Sequence, residues 1–151
     1  MTARPIDHDI REITDDLLKM TKLVEETIRD SIKSLKEKNS DLARAIIAND
    51  ENIDDLEDTI RDKCLKLLAT QQPLAGDLRH MISIMQMIRD LERIGDHCED
   101  IAKYTLRFEK MEFIKELIDI PIMADMSAKM VKNAIDAFVN SDLRLARKVW
   151  K

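Results

Sequence analysis

Apolar residues recur at helical spacing along most of this chain. The spacing is clearest near the N-terminus, where apolar positions alternate three and four residues apart: Ile10, Ile13, Leu17, Met20 and Val24. Such a stripe lies on one face of an α-helix and is typical of the inner face of a helical bundle. The pattern predicts a first helix that starts between residues 5 and 7 and ends near Lys38.

Polar residues and prolines mark the ends of the next two helices. Ser40 stands at the first break, and a serine there is a good N-cap for a second helix. That helix is expected to reach about Thr70, where Gln-Gln-Pro interrupts the pattern. Because proline suits the first turn of a helix, Pro73 is placed at the start of a third helix that extends to about Phe108.

The last third of the chain is predicted to hold two more helices. Pro121 marks a further break, and a fourth helix is expected from about Ile122 to Val139. The polar residues 140–142 would open a fifth helix that continues to the end of the chain. Residues 110–120 fit either a short helical segment or a linker.

Composition agrees with an all-α protein. Hydrophobic residues make up 44% of the 151 residues, aromatic residues make up only 3%, and glycine and proline are scarce. This mixture is too apolar for a disordered chain and too poor in turn formers for a β protein. The net charge of −5 and the lack of a basic patch argue against nucleic-acid binding. Because the sequence has no signal core and no long uncharged apolar run, we expect a cytoplasmic protein without membrane insertion.

A short internal repeat indicates how the helices are organised. Leu-Ala-Arg at residues 42–44 recurs at residues 145–147, and 103 positions separate the two copies. Residues 32–35 match residues 135–138 in pattern at the same offset. We therefore predict a three-helix bundle over residues 1–109 and the start of a second, incomplete bundle over residues 110–151.

Glu92 is out of place on the apolar face of the third helix. It lies beside Ile88 on the helical wheel, where a carboxylate is strongly unfavourable unless a cation or hydrogen bonds compensate it. Acids also pair at four-residue spacing on both the second and the third helix, and such side chains project side by side. If the two helices are neighbours, the two pairs could supply an oxygen-rich site for Mg, Mn, Fe or Zn. The candidate metal ligands are Asp50, Asp54, Glu92 and Asp96.

The residues alone leave other interpretations open. The same acids could be solvated or paired with arginines such as Arg89 and Arg93, because acids are abundant throughout the chain. Gly95 could be a harmless helix glycine, or it could mark a place where a backbone or ligand approaches closely. His80 is expected at the surface rather than in a metal site. Cys64 and Cys98 lack metal-binding spacing and are expected to be reduced.

Segments of the chain resemble the signature of the PhoU family. One part of the signature is LLATQQPLAGDLR at residues 67–79, followed by DLERIGDH at residues 90–97. The stretch DENIDDLE at residues 50–57 is similar to the family's other acidic motif. The resemblance extends from about Asp9 to the end of the chain.

The resemblance implies two three-helix bundles in tandem, whose E(D)-x-x-x-D motifs bind multinuclear clusters of iron or zinc. Carried over, the metal ligands are Asp50, Asp54, Glu92 and Asp96. It also implies a non-enzymatic regulator of phosphate uptake, which connects the phosphate ABC transporter at the inner membrane face with a sensor histidine kinase. A complete family member would continue beyond Lys151, so we expect a fragment or a shortened homologue.

Two other functions compete with a metal-binding regulator at this point. One is a helical adaptor whose acidic face binds basic partner surfaces without an ordered metal. The other is a carboxylate-bridged di-metal enzyme, which is disfavoured because the chain contains no Glu-x-x-His motif. We also expect a homodimer, because apolar residues on the fourth and fifth helices would be left on an unfinished bundle. Those residues are Val131, Ile135, Phe138, Val149 and Trp150.

Overall fold

The computed structural model describes residues 4–151, whose regular structure is entirely helical. Five helices follow in chain order: α1 (Pro5–Glu37), α2 (Ser40–Thr70), α3 (Ala75–Phe108), α4 (Asp119–Val139) and α5 (Leu143–Trp150). Helices α1, α2 and α3 pack against one another as a three-helix bundle, α4 packs on α1, and α5 packs on α4. The prediction of an all-α fold is confirmed. Across this range, no helix combines the length and hydrophobicity that crossing a bilayer requires.

The apolar stripe of α1 forms the centre of the bundle. Its residues Leu17, Met20 and Val24 are completely buried. One continuous core joins them to the other two helices through Ile53, Ile60, Met81, Ile84 and Ile88. Burying a side chain of this size contributes about 1.5–3 kcal/mol. The core therefore holds α2 and α3 side by side along their length.

Two of the predicted helix starts are wrong by one or two residues. Asn39, not Ser40, is the N-cap of α2, and its side chain accepts a hydrogen bond of 3.0 Å from the Leu42 N–H. Helix α3 begins at Ala75, so Pro73 precedes the helix instead of starting it. The reason is that Leu74 keeps an extended backbone, with φ −65° and ψ 162°, and takes the N-cap position.

Pro121 does not break the fourth helix. Helix α4 begins at Asp119, so Pro121 lies in its first turn. Backbone N–H groups in the first turn have no acceptor within the helix, so proline loses no hydrogen bond by lacking its N–H group. The segment before it, residues 109–118, has no helix or strand and is a linker. This observation decides between the two interpretations of that segment.

The internal repeat is visible in the geometry of two turns. Lys38 and Ser141, which are 103 positions apart, both have a left-handed backbone, with φ 51° and 53°. The next residues, Asn39 and Asp142, are the N-caps of α2 and α5. The backbone N–H of each of these two residues donates a hydrogen bond of 2.8 Å to the carbonyl oxygen five residues earlier. The α1–α2 and α4–α5 hairpins thus share one turn, while the domain boundary after residue 109 stays a prediction.

The exposed apolar surface differs from the predicted one. Ile135 is only 5% exposed and belongs to the common core, because α4 turns this residue towards α1. Phe138 is half-buried and stacks on His80, with ring centroids 4.6 Å apart. His80, which was expected at the surface, is half-buried by this contact. Of the five predicted residues, Trp150 alone is largely exposed, at 92%.

Candidate metal centre

Two rows of three carboxylates line the contact between α2 and α3. In each row the acids stand at positions i, i+4 and i+7, which keeps them on one helix face. The short loop at residues 71–74 makes the two helices antiparallel neighbours, so the rows meet in reverse order. The rows are Asp50, Asp54 and Glu57 on α2, and Glu92, Asp96 and Glu99 on α3.

Three acids of the two rows are tightly grouped. One carboxylate oxygen from each of Asp50, Asp54 and Asp96 lies within 4.8 Å of the others. Glu92 is outside this triplet, but it lies one helical turn before Asp96 on α3, and burial together with repulsion from Asp96 raises its pKa. The structure therefore brings three of the four predicted ligands to one spot and places the fourth at its edge. We call these four residues the inner acids.

In the described part of the chain, salt bridges reach only the last acid of each row, Glu57 and Glu99, which we call the outer acids. Arg61 pairs with Glu57 on α2, and Lys103 pairs with Glu99 on α3. Within residues 4–151, no salt bridge reaches any of the inner acids, and neither Arg89 nor Arg93 forms one. The proposed pairing of the inner acids with arginines of α3 is therefore wrong. The four inner acids therefore remain without a salt-bridge partner in this range.

Burial and mutual repulsion raise the pKa values of the inner acids. Partial burial, followed by repulsion from Asp54 and Glu99, raises the pKa of Asp50 to about 6. Partial burial and the neighbouring Asp96 raise the pKa of Glu92 to about 7. Burial and repulsion from Asp96 also raise the pKa of Asp54. Full ionisation of this group is thus unfavourable, and a bound cation would relieve it.

The chemistry of the donor set fits a hard or borderline cation. The inner acids offer carboxylate oxygens alone, which suit Mg, Mn and Fe and are also found around Zn. Asp54 and Asp96 are exposed, so water can complete the coordination of an ion. The nearest thiol, Cys98, is buried, and this burial raises its pKa to about 11. Cys98 also does not belong to the group of side chains that converge on one position.

A second group of possible ligands, at the start of α1, already has partners. His8, Asp9 and Glu12 lie together there. Asp9 accepts a hydrogen bond from Gln71, and Glu12 forms an ion pair with Lys63. This group therefore does not carry the uncompensated charge that distinguishes the inner acids.

The sequence interpretation did not include Glu57 and Glu99 among the candidate ligands. Their signal was present, because each follows the second acid of its pair by three residues and so continues the same helix face. Four-residue spacing alone does not identify the acids of the rows. Asp58 follows Asp54 by four residues, but its side chain is 70% exposed and forms a salt bridge of 2.6 Å with Arg61.

Comparisons with known proteins agree on one family. The PhoU domain matches residues 17–105, a range that contains both rows of acids. The PhoU homolog of Aquifex aeolicus, a phosphate-specific transport system accessory protein, is 35% identical over 93% of this chain, which spans 64% of that relative. The corresponding protein of Clostridium acetobutylicum is 34% identical over the whole chain, which spans 69% of it.

Solved structures show the same likeness. The crystal structure of PhoU from Pseudomonas aeruginosa superimposes with a TM-score of 0.89 at 33% identity, covering 94% of this chain and 68% of that one. PhoU from Streptococcus pneumoniae, a phosphate transport system regulatory protein, gives a TM-score of 0.86 at 31% identity, with coverages of 95% and 68%. The resemblance seen in the sequence motifs is thereby confirmed. The chain belongs to the PhoU family.

Proposed function

We propose that this protein is a non-enzymatic regulator of phosphate uptake that binds metal ions between α2 and α3. Its relatives in Aquifex and Clostridium are named accessory proteins of a phosphate-specific transport system. By this likeness, the partners are the phosphate ABC transporter and the sensor histidine kinase of phosphate regulation. The protein would act in the cytoplasm, at the inner face of the membrane.

One observation carries the metal-binding part of the proposal. Glu57 and Glu99 each form a salt bridge with a cation of their own helix, whereas no salt bridge within residues 4–151 reaches the inner acids. Lys103 also lowers the pKa of Asp50, but burial and the neighbouring acids outweigh it. An isolated group of carboxylates is costly to hold together unless positive charge meets it. Asp50, Asp54 and Asp96 would hold the ion, and Glu92 would complete or bridge its coordination.

A metal ion would supply the charge that links the two helices. Iron or zinc is the expected ion, with Mg or Mn as alternatives that the same oxygen ligands accept. Because Asp50 and Asp54 come from α2 while Asp96 comes from α3, occupancy would fix the two helices relative to each other. Each divalent ion would cancel two of the negative charges on this surface, and a partner protein that recognises its charge would bind the two states differently.

A second function rests on the exposure of Asp54 and Asp96. Both side chains face water, so the inner acids are accessible to lysines and arginines of a partner. In this alternative the protein is an adaptor that binds a basic surface directly, without an ordered metal. Its partner's cations would replace the metal, and added metal would compete with that partner.

Metal analysis of the purified protein separates the two functions. We expect protein purified without chelator to retain at least one iron or zinc ion per chain, measured by inductively coupled plasma mass spectrometry. In a bacterium lacking its own family member, the chain should restore repression of phosphate-starvation genes only when the inner acids are intact. Restored repression by a protein that never takes up metal would support the adaptor instead.

We further expect the protein to form homodimers. Exposed apolar side chains on α4 and α5 would lose contact with water in the interface of such a dimer. The apolar side chains there that are more than half exposed are Ile122, Met123, Met126, Met130, Leu143 and Trp150. Sedimentation velocity at micromolar concentration should show a dimer, and replacing Met126 and Met130 by Lys should give a monomer. A monomeric wild-type chain would contradict this prediction.

A further inference from the structure

We propose that Gly95 is a positioning residue for the metal centre. In this proposal the missing side chain of Gly95 sets the distance between α2 and α3 at which the inner acids converge. The inference rests on the proposed metal site, but it concerns a residue that has no ligand atom. It predicts that a single added methyl group, buried between the helices, weakens metal binding.

The backbone conformation gives no reason for a glycine at this position. Gly95 lies in the middle of α3 and is buried, and no glycine between residues 4 and 151 has a positive φ. Glycine inside a helix is also less favourable than alanine. What Gly95 offers is therefore the space that a side chain would occupy.

Helix α2 fills that space with Ile53. A Cβ atom on residue 95 would lie 3.0 Å from Ile53 Cδ1 and 3.4 Å from Ile53 Cγ2, closer than most Cβ atoms approach their neighbours. Ile53 is completely buried, and both of its branches meet the added atom. Branching at Cβ restricts χ1 of Ile53, and the close-packed core around it leaves χ2 little room to turn Cδ1 away. The strain would therefore be relieved by moving α2 away from α3.

Such a movement acts directly on the ligands. Ile53 lies between Asp50 and Asp54 in the sequence, and Gly95 directly precedes Asp96. The Asp50 Oδ1 atom itself lies 3.5 Å from the position of the added Cβ. Metal–ligand distances in proteins tolerate deviations of only about 0.2 Å. A displacement that a helical bundle easily absorbs would thus still disrupt the coordination.

The test is a titration of the metal-free protein with zinc chloride by isothermal calorimetry. We expect Gly95→Ala to remain folded but to bind zinc about 10- to 100-fold more weakly, the range typical for residues that orient metal ligands. The double variant Gly95→Ala/Ile53→Val lacks Cδ1, the atom nearest the added methyl group, and should regain most of the lost affinity. Ile53→Val alone should bind zinc as the wild type does.

Gly76→Ala is the matched control. Gly76 is also a glycine of α3, but a Cβ atom there would have no neighbour within 4 Å. This variant should bind zinc with unchanged affinity. If Gly95→Ala fails to fold, the double variant replaces it and should fold and bind zinc, because the closest contact is gone.

Three results would overturn the inference. Wild-type affinity in Gly95→Ala would show that the spacing at this position does not matter. Equal weakness of the single and the double variant would show that Ile53 does not transmit the effect. Failure of the wild-type protein to bind zinc or iron would instead defeat the metal site itself, and this inference with it.

Discussion

Replacing Asp50 and Asp54 together by asparagine should remove the bound metal. Asparagine keeps the shape of each side chain but removes both negative charges that α2 contributes to the inner acids. Because half of the ligand charge is lost, we expect the affinity for zinc or iron to fall by at least about 100-fold. Calorimetric titration and metal analysis of the purified variant measure the effect.

The chain offers a matched control for this variant. Asp58 and Asp62 have the same four-residue spacing on the same helix, but both are exposed and lie outside the two rows. Replacing these two by asparagine changes the net charge equally and should leave metal binding intact. If both double variants lose metal to the same extent, overall charge and not a defined site controls binding. Full metal content in the Asp50/Asp54 variant would disprove the proposed ligands.

The stability of the metal-free protein should decrease as the pH rises from about 5 to 8. The pKa values of Asp50 and Glu92 are raised in the folded state, to about 6 and about 7. A raised carboxyl pKa means that the folded state binds the proton more tightly than the unfolded state does. The resulting stability is complete below the unfolded pKa near 4 and is lost as the pH passes the folded value.

Neutral substitutions should remove most of this pH dependence. After allowance for solvent screening, Glu92→Gln should increase the free energy of unfolding of the metal-free protein by about 1 kcal/mol at pH 8 and by much less at pH 5. Urea denaturation with a chelator measures both values. With saturating zinc, the dependence should reverse, because protons then compete with the metal for the same oxygens.

An unrelated carboxylate does not interfere in this pH range. Asp16 is buried, which raises its pKa, but hydrogen bonds from Lys63 and Lys19 lower it on balance. The stability that Asp16 contributes is therefore lost only as the pH falls below about 4. Burial lowers the pKa of His80, so His80 acts in the opposite direction between pH 5 and pH 8, but equally in wild type and in Glu92→Gln. A stability difference between these two proteins that is the same at pH 5 and pH 8 would show that Glu92 is not repelled by the other inner acids.

The helices could be predicted from the sequence because burial requires a periodic pattern. The residues that form the core of α1 are the ones that repeat every three or four positions, and their burial is complete at Leu17, Met20 and Val24. Helix ends are less certain because adjacent residues can serve as the cap. Asn39 and Ser40 are both good N-caps, and the left-handed turn at Lys38 decides between them.

The candidate site could be predicted only in part. Spacing along one helix shows which acids share a face, so both pairs were identified correctly as neighbours within each helix. It cannot show that the two faces meet. Nor can it show that Arg61 and Lys103 form their salt bridges with Glu57 and Glu99 and not with the inner acids. The sequence left open whether Gly95 is a harmless helix glycine or marks a close approach of another group. The position of Ile53 next to Gly95 decides for the close approach.

The central claim is that carboxylates from α2 and α3 hold a metal ion at one common position. Anomalous diffraction at the zinc or iron edge, from crystals of protein grown with the metal, tests it most directly. We expect a strong anomalous peak between the two helices, within coordination distance of Asp50, Asp54 and Asp96. A map without a peak there, from protein supplied with metal in excess, would contradict it.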